Sequence, residues 1–162
     1  MKVVAVYPGT FDPITKGHED LIERSASLFG PTRVAVVRGG IKDALFSIDE
    51  RVDMVERSVR ALPGRQHISV EPFDGLLVDY VRSLKAMVVS RGLRAVADFE
   101  YEYQMALMNR KLAPSVEVIY LMPKLDYVYL SSSLVKEVAR HGGHAKGAVS
   151  PHVEKALRER YR

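Results

Sequence analysis

The chain has 162 residues, and we expect residues 1–162 to form a single domain with one core. It contains 24 Lys and Arg against 20 Asp and Glu, a net charge of +4, and no cysteine. Disulfides and thiolate metal sites are therefore excluded. The mild positive charge suits a small polyanion such as a nucleotide.

The sequence also bears on nucleic-acid binding, on membrane insertion and on location in the cell. Neither a basic cluster interleaved with aromatic residues nor zinc-finger spacing occurs, so we expect no nucleic-acid partner. No charged-then-apolar leader is seen, and no apolar run reaches the roughly 20 residues that span a bilayer. We therefore expect a cytoplasmic protein with no membrane partner.

Short apolar runs alternate with amphipathic stretches along the chain. The runs predict five strands, at residues 3–6, 33–38, 68–72, 86–90 and 116–121. The amphipathic stretches predict helices, at residues 19–29, 48–62, 75–84, 98–112, 134–140 and from 151 onward. Pro8, Gly9 and Pro13 indicate an irregular connection after the first strand. The alternation predicts an α/β fold with a parallel sheet and helices on both faces.

Ligands of such sheets bind beyond the carboxyl ends of the strands, where the strand order reverses. This rule brings four predicted loops together, at residues 8–18, 39–46, 91–98 and 122–132. Neither GxxxxGK(S/T) nor GxGxxG occurs in the chain. Their absence argues against a P-loop kinase and a standard dinucleotide oxidoreductase.

His18 lies at the start of the first predicted helix. Four residues stand on the same helix face, 3, 4, 7 and 11 positions later: Leu21, Ile22, Ser25 and Phe29. His18 therefore begins the stripe that faces the sheet, beside N–H groups without helical partners and the positive end of the dipole. An imidazole there favours an anion. The alternative, which the pattern leaves open, is a histidine that caps its own helix or packs on Pro13.

Three further segments carry groups that could hold phosphate. Ser131-Ser132-Ser133 offers hydroxyls and free amides at a helix start, although one serine suffices as an N-cap. Arg91 and Arg94 flank a slim turn at Gly92 and offer planar forks for phosphate, although such arginines can also be solvated. Lys42 lies in the loop after the second strand, where a solvated lysine is the usual case.

Several of these segments together resemble one family. Thr15-Lys16-Gly17-His18 resembles the (H/T)xGH signature of the nucleotidyltransferase superfamily, and residues 7–13 resemble the opening of bacterial phosphopantetheine adenylyltransferases. Residues 91–102 and 131–140 also resemble this family strongly. The resemblance covers nearly the whole chain. It implies a Rossmann-like, doubly wound five-stranded sheet in the order 3-2-1-4-5, with the cleft between strands one and four.

The resemblance also implies a reaction and a set of residues. The reaction is transfer of the adenylyl group of ATP to 4′-phosphopantetheine, giving dephospho-coenzyme A and pyrophosphate, with Mg²⁺ bound to ATP. The residues implied in catalysis are His18, Lys42 and Arg91. Those implied in acceptor binding are Thr10, Lys42, Leu77 and Arg91. Those implied in ATP binding are Thr10, Phe11, His18, Gly92, Leu93, Arg94, Glu102, Tyr127, Val128, Tyr129, Leu130, Ser131, Ser132 and Ser133. A homohexamer and inhibition by coenzyme A are implied as well.

An acceptor phosphate is already anionic at neutral pH, so this reaction needs no side-chain nucleophile and no strong general base. Catalysis then reduces to aligning two anions and stabilising charge on the α-phosphoryl oxygens. We expect His18 to act mainly as a neutral hydrogen-bond donor, because the helix dipole disfavours its protonation.

Three alternatives stay open. The chain could be another nucleotidyltransferase, acting on glycerol phosphate or a nicotinate nucleotide. It could be a non-catalytic sensor of a nucleotide or of coenzyme A, because fold alone does not fix function. The third is an RNA-binding module.

Overall fold

The computed structural model describes residues 4–39, 43–94 and 96–162. Five strands form one sheet: β1 (Ala5–Gly9), β2 (Thr32–Val37), β3 (Ile68–Phe73), β4 (Val88–Gly92) and β5 (Glu117–Leu121). Every pairing is parallel, and the order is β3-β2-β1-β4-β5. The α/β class and the order 3-2-1-4-5 are therefore confirmed.

The described residues form six α-helices, which connect and follow the strands: α1 (Lys16–Phe29), α2 (Ile48–Val59), α3 (Leu77–Ser83), α4 (Val96–Leu112), α5 (Ser132–Arg140) and α6 (Pro151–Arg160). Short 3₁₀ turns cover Arg65–His67 and Leu125–Tyr127. Within the part of the chain described, no helix combines the length and the apolar character needed to cross a bilayer.

The core consists of two clusters, one on each face of the sheet. Neighbouring strand residues point to opposite faces, so Val34 and Val36 join one cluster while Ala35 joins the other. The first cluster takes in buried residues of α1, α2, α5 and α6, and the second takes in residues of α3 and those between α4 and β5. Both faces are buried, which explains why the strands read as continuous apolar runs.

The split between β1 and β4 creates the cleft. β1 pairs with β2 along its whole length, but with β4 only through Ala5 and Val6. Beyond Val6 the two strands lack ladder bonds, and the Arg91 side chain bridges the gap by donating to the Pro8 carbonyl at 3.2 Å. The strand order reverses at this point, which is where ligands of such sheets bind.

Several predicted boundaries are wrong. β1 runs through Pro8 and Gly9, which we expected to be irregular. The Pro8 carbonyl points toward β4, and in a strand the nitrogen of the same residue points the same way. Because β4 forms no ladder bond at this level, the missing N–H of Pro8 is tolerated. α1 begins at Lys16 rather than residue 19, because Thr15 is its N-cap. α3 begins two residues later than predicted, after Gly75 at φ +84°.

The boundaries of α2 and α4 differ as well. α2 begins after a Ser47–Glu50 capping box and ends at Val59, three residues before the predicted end. α4 begins at Val96, two residues before the predicted start, so Asp98 lies in its first turn. An acidic residue in that turn still complements the helix dipole.

Candidate active site at the carboxyl end of the sheet

A cavity of about 320 Å³ lies where β1 and β4 separate. Its walls are the loop after β1, the start of α1, the end of β4, and the loop between β5 and α5. It is lined by many of the residues expected at the site: Thr10, Phe11, His18, Arg91, Gly92, Arg94, Glu102, Tyr127, Leu130 and Ser132. Three of the four predicted loops, at residues 8–18, 91–98 and 122–132, therefore meet at one place. No described residue of the fourth, 39–46, lines the cavity.

The other expected residues lie elsewhere. Those outside the lining of this cavity are Leu77, Leu93, Val128, Tyr129, Ser131 and Ser133. Ser131 is the N-cap of α5 and accepts from the Leu134 N–H at 3.0 Å, so the simple capping interpretation applies to it. Lys42 lies outside the described residues. Ligand contacts by any of these residues stay predictions.

His18 is fixed by its own helix end. Its Nδ1 accepts from the backbone N–H of Thr15 at 3.0 Å, while the Thr15 hydroxyl accepts from the His18 N–H at 3.4 Å. Together these bonds form a capping box. The ring also packs edge-on against Phe11, with centroids 5.2 Å apart. The alternative that His18 caps its own helix is therefore correct for Nδ1.

The same contacts determine the tautomer of His18. A backbone N–H can only donate, so Nδ1 carries no proton. Burial, helped by the charges of Arg94 and Arg91, lowers the pKa of His18 to about 4. The imidazole is thus neutral near pH 7, with its proton on Nε2. No protein partner for Nε2 is found within the described residues, and His18 lines the cavity, so this N–H is open to a ligand.

The Arg91–Glu102 ion pair separates this cavity from a second one. Arg91 Nε donates to Glu102 at 3.1 Å, and a second guanidinium nitrogen contacts the other carboxylate oxygen. Glu102 keeps the pKa of the half-buried guanidinium raised, although desolvation opposes it. Both residues line the main cavity and also a smaller one of about 130 Å³. The ion pair is therefore the shared wall of two adjoining spaces.

The smaller cavity is largely apolar. Beside the shared wall it is lined by Leu77, Val89, Tyr101, Met105, Ala106, Asn109, Val118 and Tyr120. Leu77 lies here, half-buried, and also packs against the second core cluster. Both the core interpretation and the ligand interpretation of Leu77 therefore fit its position.

Arg94 connects two walls of the main cavity. Its Nη1 donates to the Leu130 carbonyl at 2.8 Å, and its Nε donates to Asp98 at 3.2 Å. Ser132, on the same side, donates to the Pro13 carbonyl at 2.8 Å. These bonds fix the loop before α5 against β4 and the first loop.

A buried charge network, which sequence reasoning missed, positions the first loop. Asp12, 2% exposed, accepts from the N–H groups of Leu45 and Phe46, both at 2.9 Å, and from Lys136 at 2.7 Å. Desolvation would raise the pKa of Asp12, but these bonds, led by Lys136, hold it below its usual value. One carboxylate thereby joins the loops after β1 and β2 to α5.

Arg51 completes this network from α2. It is 2% exposed and donates to the carbonyls of Thr10 at 2.7 Å, Val37 at 2.9 Å and Phe46 at 3.2 Å. It thus fixes the backbone of Thr10, an expected ligand-binding residue. A signal was present in the sequence, because Arg51 stands three and four residues before the buried Met54 and Val55.

The fold and the cleft together define a class of protein. The parallel sheet has the order given above, the cleft lies at the split between its central strands, and a Thr-x-Gly-His turn begins a helix there. These are the features of a Rossmann-like nucleotidyltransferase. Solved structures agree on the fold. A Plasmodium falciparum nicotinic acid mononucleotide adenylyltransferase complexed with NaAD superposes with a TM-score of 0.73 at 16% identity, covering 98% of this chain and 96% of that one. A bifunctional NMN adenylyltransferase/ADP ribose pyrophosphatase from Francisella tularensis gives 0.72 at 14% identity, covering 98% of this chain and 49% of that one.

Sequence comparison narrows the class. The cytidylyltransferase-like family model matches residues 6–138. A phosphopantetheine adenylyltransferase of Geobacter sulfurreducens is 51% identical over 158 residues, covering 98% of this chain and 94% of that protein. One from Carboxydothermus hydrogenoformans is 49% identical, covering 98% and 96%. The chain belongs to the cytidylyltransferase-like family and, within it, to the phosphopantetheine adenylyltransferases.

Proposed function

We propose that this chain transfers the adenylyl group of ATP to 4′-phosphopantetheine, giving dephospho-coenzyme A and pyrophosphate. The observation that carries the proposal is identity of about half of all residues, along nearly the whole chain, to proteins of that name. The cleft supports it, because it combines a neutral histidine donor, two arginines and a helix start, all suited to phosphates.

The reaction needs one displacement at the α-phosphorus of ATP. An oxygen of the acceptor phosphate attacks that phosphorus in line, the bond from it to the bridging oxygen of the β-phosphate breaks, and pyrophosphate leaves. No proton must be removed from the nucleophile, which is already an anion. The protein contributes alignment of two mutually repelling anions and stabilisation of charge at the transition state.

His18 is the group best placed for stabilising that charge. Its Nδ1 is engaged by Thr15, so the ring presents Nε2–H and cannot act as a base or nucleophile through Nδ1. We assign this N–H to a non-bridging oxygen of the α-phosphoryl group. A donor that is fixed before the reaction is worth most where charge develops in the transition state.

The other binding roles are assigned according to the two cavities that adjoin the Arg91–Glu102 ion pair. Arg91 would hold the acceptor phosphate with the N–H groups not engaged by Glu102 and Pro8. The uncharged arm of the acceptor would lie in the apolar cavity with Leu77. Arg94 would bind the pyrophosphate end of ATP. Thr10 and Lys42 are proposed beside the transferred group, and Ser132 with the ATP phosphates.

Mg²⁺ is part of the same proposal. The described residues contain no group of three His, Cys, Asp or Glu arranged to hold a metal ion. We propose an ion held chiefly by the ATP phosphates and water, as Mg²⁺ commonly is. The ion would supply charge neutralisation on those phosphates, and no step is assigned to it through a protein ligand.

The assembly and the setting are also proposals. We propose a homohexamer, supported by exposed apolar side chains along α4, of which Phe99, Tyr101 and Met108 are 51%, 62% and 53% exposed. Apolar area of this kind commonly marks an interface, and light scattering would measure the mass. A cytoplasmic location is supported by the absence of cysteine. Inhibition by coenzyme A is proposed because it contains the acceptor arm and the adenosine.

The direct test is pyrophosphate release from ATP with a panel of acceptors. We expect turnover with 4′-phosphopantetheine and none with glycerol phosphate or RNA. Turnover only with nicotinate mononucleotide would assign the chain to the activity named for its structural neighbours. Binding of ATP without release of pyrophosphate from any acceptor would favour the non-catalytic sensor.

A further inference from the structure

Tyr7 combines a core position with an unused polar group. Its ring belongs to the cluster on the α1 face and is 4% exposed. Tyr7 also lines the main cavity, and no hydrogen-bond partner for its hydroxyl is found within the described residues. The hydroxyl is therefore available to a ligand in that cavity.

Gly92 lies beside this hydroxyl, in close packing with Leu21. A Cβ at position 92 would lie 3.7 Å from the Tyr7 hydroxyl and 2.5 Å from Leu21 Cδ1. A larger residue at position 92 would therefore have to displace Leu21, which lines the same cavity. The Tyr7 hydroxyl thus lies next to the end of β4, where Gly92 lines the main cavity.

The charges around Tyr7 select the kind of ligand. Burial raises the pKa of Tyr7 far above the neutral range, with Asp20 and Glu102 adding to the rise and Arg91 and Arg94 opposing it. The phenol therefore stays protonated and can donate. Arg91 and Arg94 line the same cavity, so a donor beside them matches an anionic oxygen.

We propose that the Tyr7 hydroxyl binds nucleotide, donating a hydrogen bond to a phosphoryl oxygen of ATP in the main cavity. The assignment rests on the proposed function. It favours ATP over the acceptor because Tyr7, like His18 and Arg94, lines the main cavity and is absent from the lining of the smaller one. The acceptor arm is expected in the cavity of Leu77, which Tyr7 does not line.

The test is Tyr7→Phe, which keeps the packed ring and removes only the hydroxyl. Calorimetric titration with ATP and, separately, with 4′-phosphopantetheine measures both affinities. We expect ATP binding to weaken about tenfold or more, the effect of losing a hydrogen bond to a charged group. Acceptor affinity and the melting temperature of the free protein should stay close to wild type.

Tyr80→Phe is the matched control. The Tyr80 hydroxyl donates to Glu71 and lines neither cavity. Its removal should lower the melting temperature and leave ATP affinity unchanged, the opposite of the result expected for Tyr7→Phe. Unchanged ATP affinity in Tyr7→Phe, or a loss confined to the acceptor, would overturn the proposal. Failure of the wild-type protein to bind ATP would instead overturn the proposed function.

Discussion

Replacing His18 by asparagine should separate the two jobs that the structure gives to this ring. The Asn side chain has an oxygen near the position of Nδ1, so it can still accept from the Thr15 N–H and preserve the cap. It has no atom at the position of Nε2. The variant should therefore lose the donor to the α-phosphoryl group while keeping the start of α1.

The magnitude follows from these contacts. Loss of one preorganised donor should lower kcat by about 10²–10³. His18→Ala should lose the same factor and also leave the N–H of Thr15, a 1% exposed residue, without its acceptor. A buried unpaired donor costs roughly 1–3 kcal/mol of unfolding free energy. Loss of the ring contact with Phe11 adds to that.

Three measurements on each variant decide the matter: steady-state kinetics with both substrates, ATP titration, and urea unfolding. We expect His18→Asn to unfold like wild type with a much lower kcat, and ATP affinity to change far less than kcat. His18→Gln, whose amide can reach toward the position of Nε2, should recover part of the rate at some cost in stability. Near-normal kcat in folded His18→Asn would reduce His18 to a helix cap.

Three further outcomes concern Arg91, Lys136 and the protonation of His18. Arg91→Lys cannot keep both contacts to Glu102, so the KM for the acceptor should rise about tenfold or more, with little change in the KM for ATP, in steady-state kinetics. Lys136→Met leaves the Asp12 carboxylate without its cation and should cost about 3 kcal/mol in urea unfolding; a cost near zero would contradict the network. The folded-state pKa of His18, about 4, lies below its usual value of 6.5, so the contribution of His18 to stability is complete above about pH 6.5 and falls as the pH drops toward 4. The pH profile of kcat should therefore show no inflection from His18 between roughly pH 6 and 8. An inflection near pH 6.5 that disappears in His18→Asn would contradict the neutral ring.

The sequence predicted the architecture better than its internal boundaries. Five apolar runs and the helices between them were sufficient for a parallel sheet, but periodicity carries no information on strand order, which came from family resemblance. Pro8 was misjudged because its place in β1 depends on where β4 stops pairing, a tertiary fact. The early start of α1 was missed although Thr15 is a good capping residue.

The candidate site shows the same division between local and long-range information. His18 was found because its spacing to the buried stripe of α1 is local. The Asp12–Lys136 pair was missed because its members are 124 residues apart and meet only in the fold. The capping box of His18 was considered only as an alternative to function. The structure shows that one ring nitrogen can cap while the other faces the cleft.

The central claim is that the acceptor phosphate displaces pyrophosphate directly, without an adenylylated side chain. ATP made chiral at the α-phosphorus by sulfur substitution tests it, because one in-line displacement inverts the configuration there and two in succession restore it. Since His18 Nδ1 is engaged by Thr15 and Nε2 carries the proton, the account predicts inversion in the dephospho-coenzyme A formed from 4′-phosphopantetheine. Retention of configuration would contradict it and require a nucleophile on the protein.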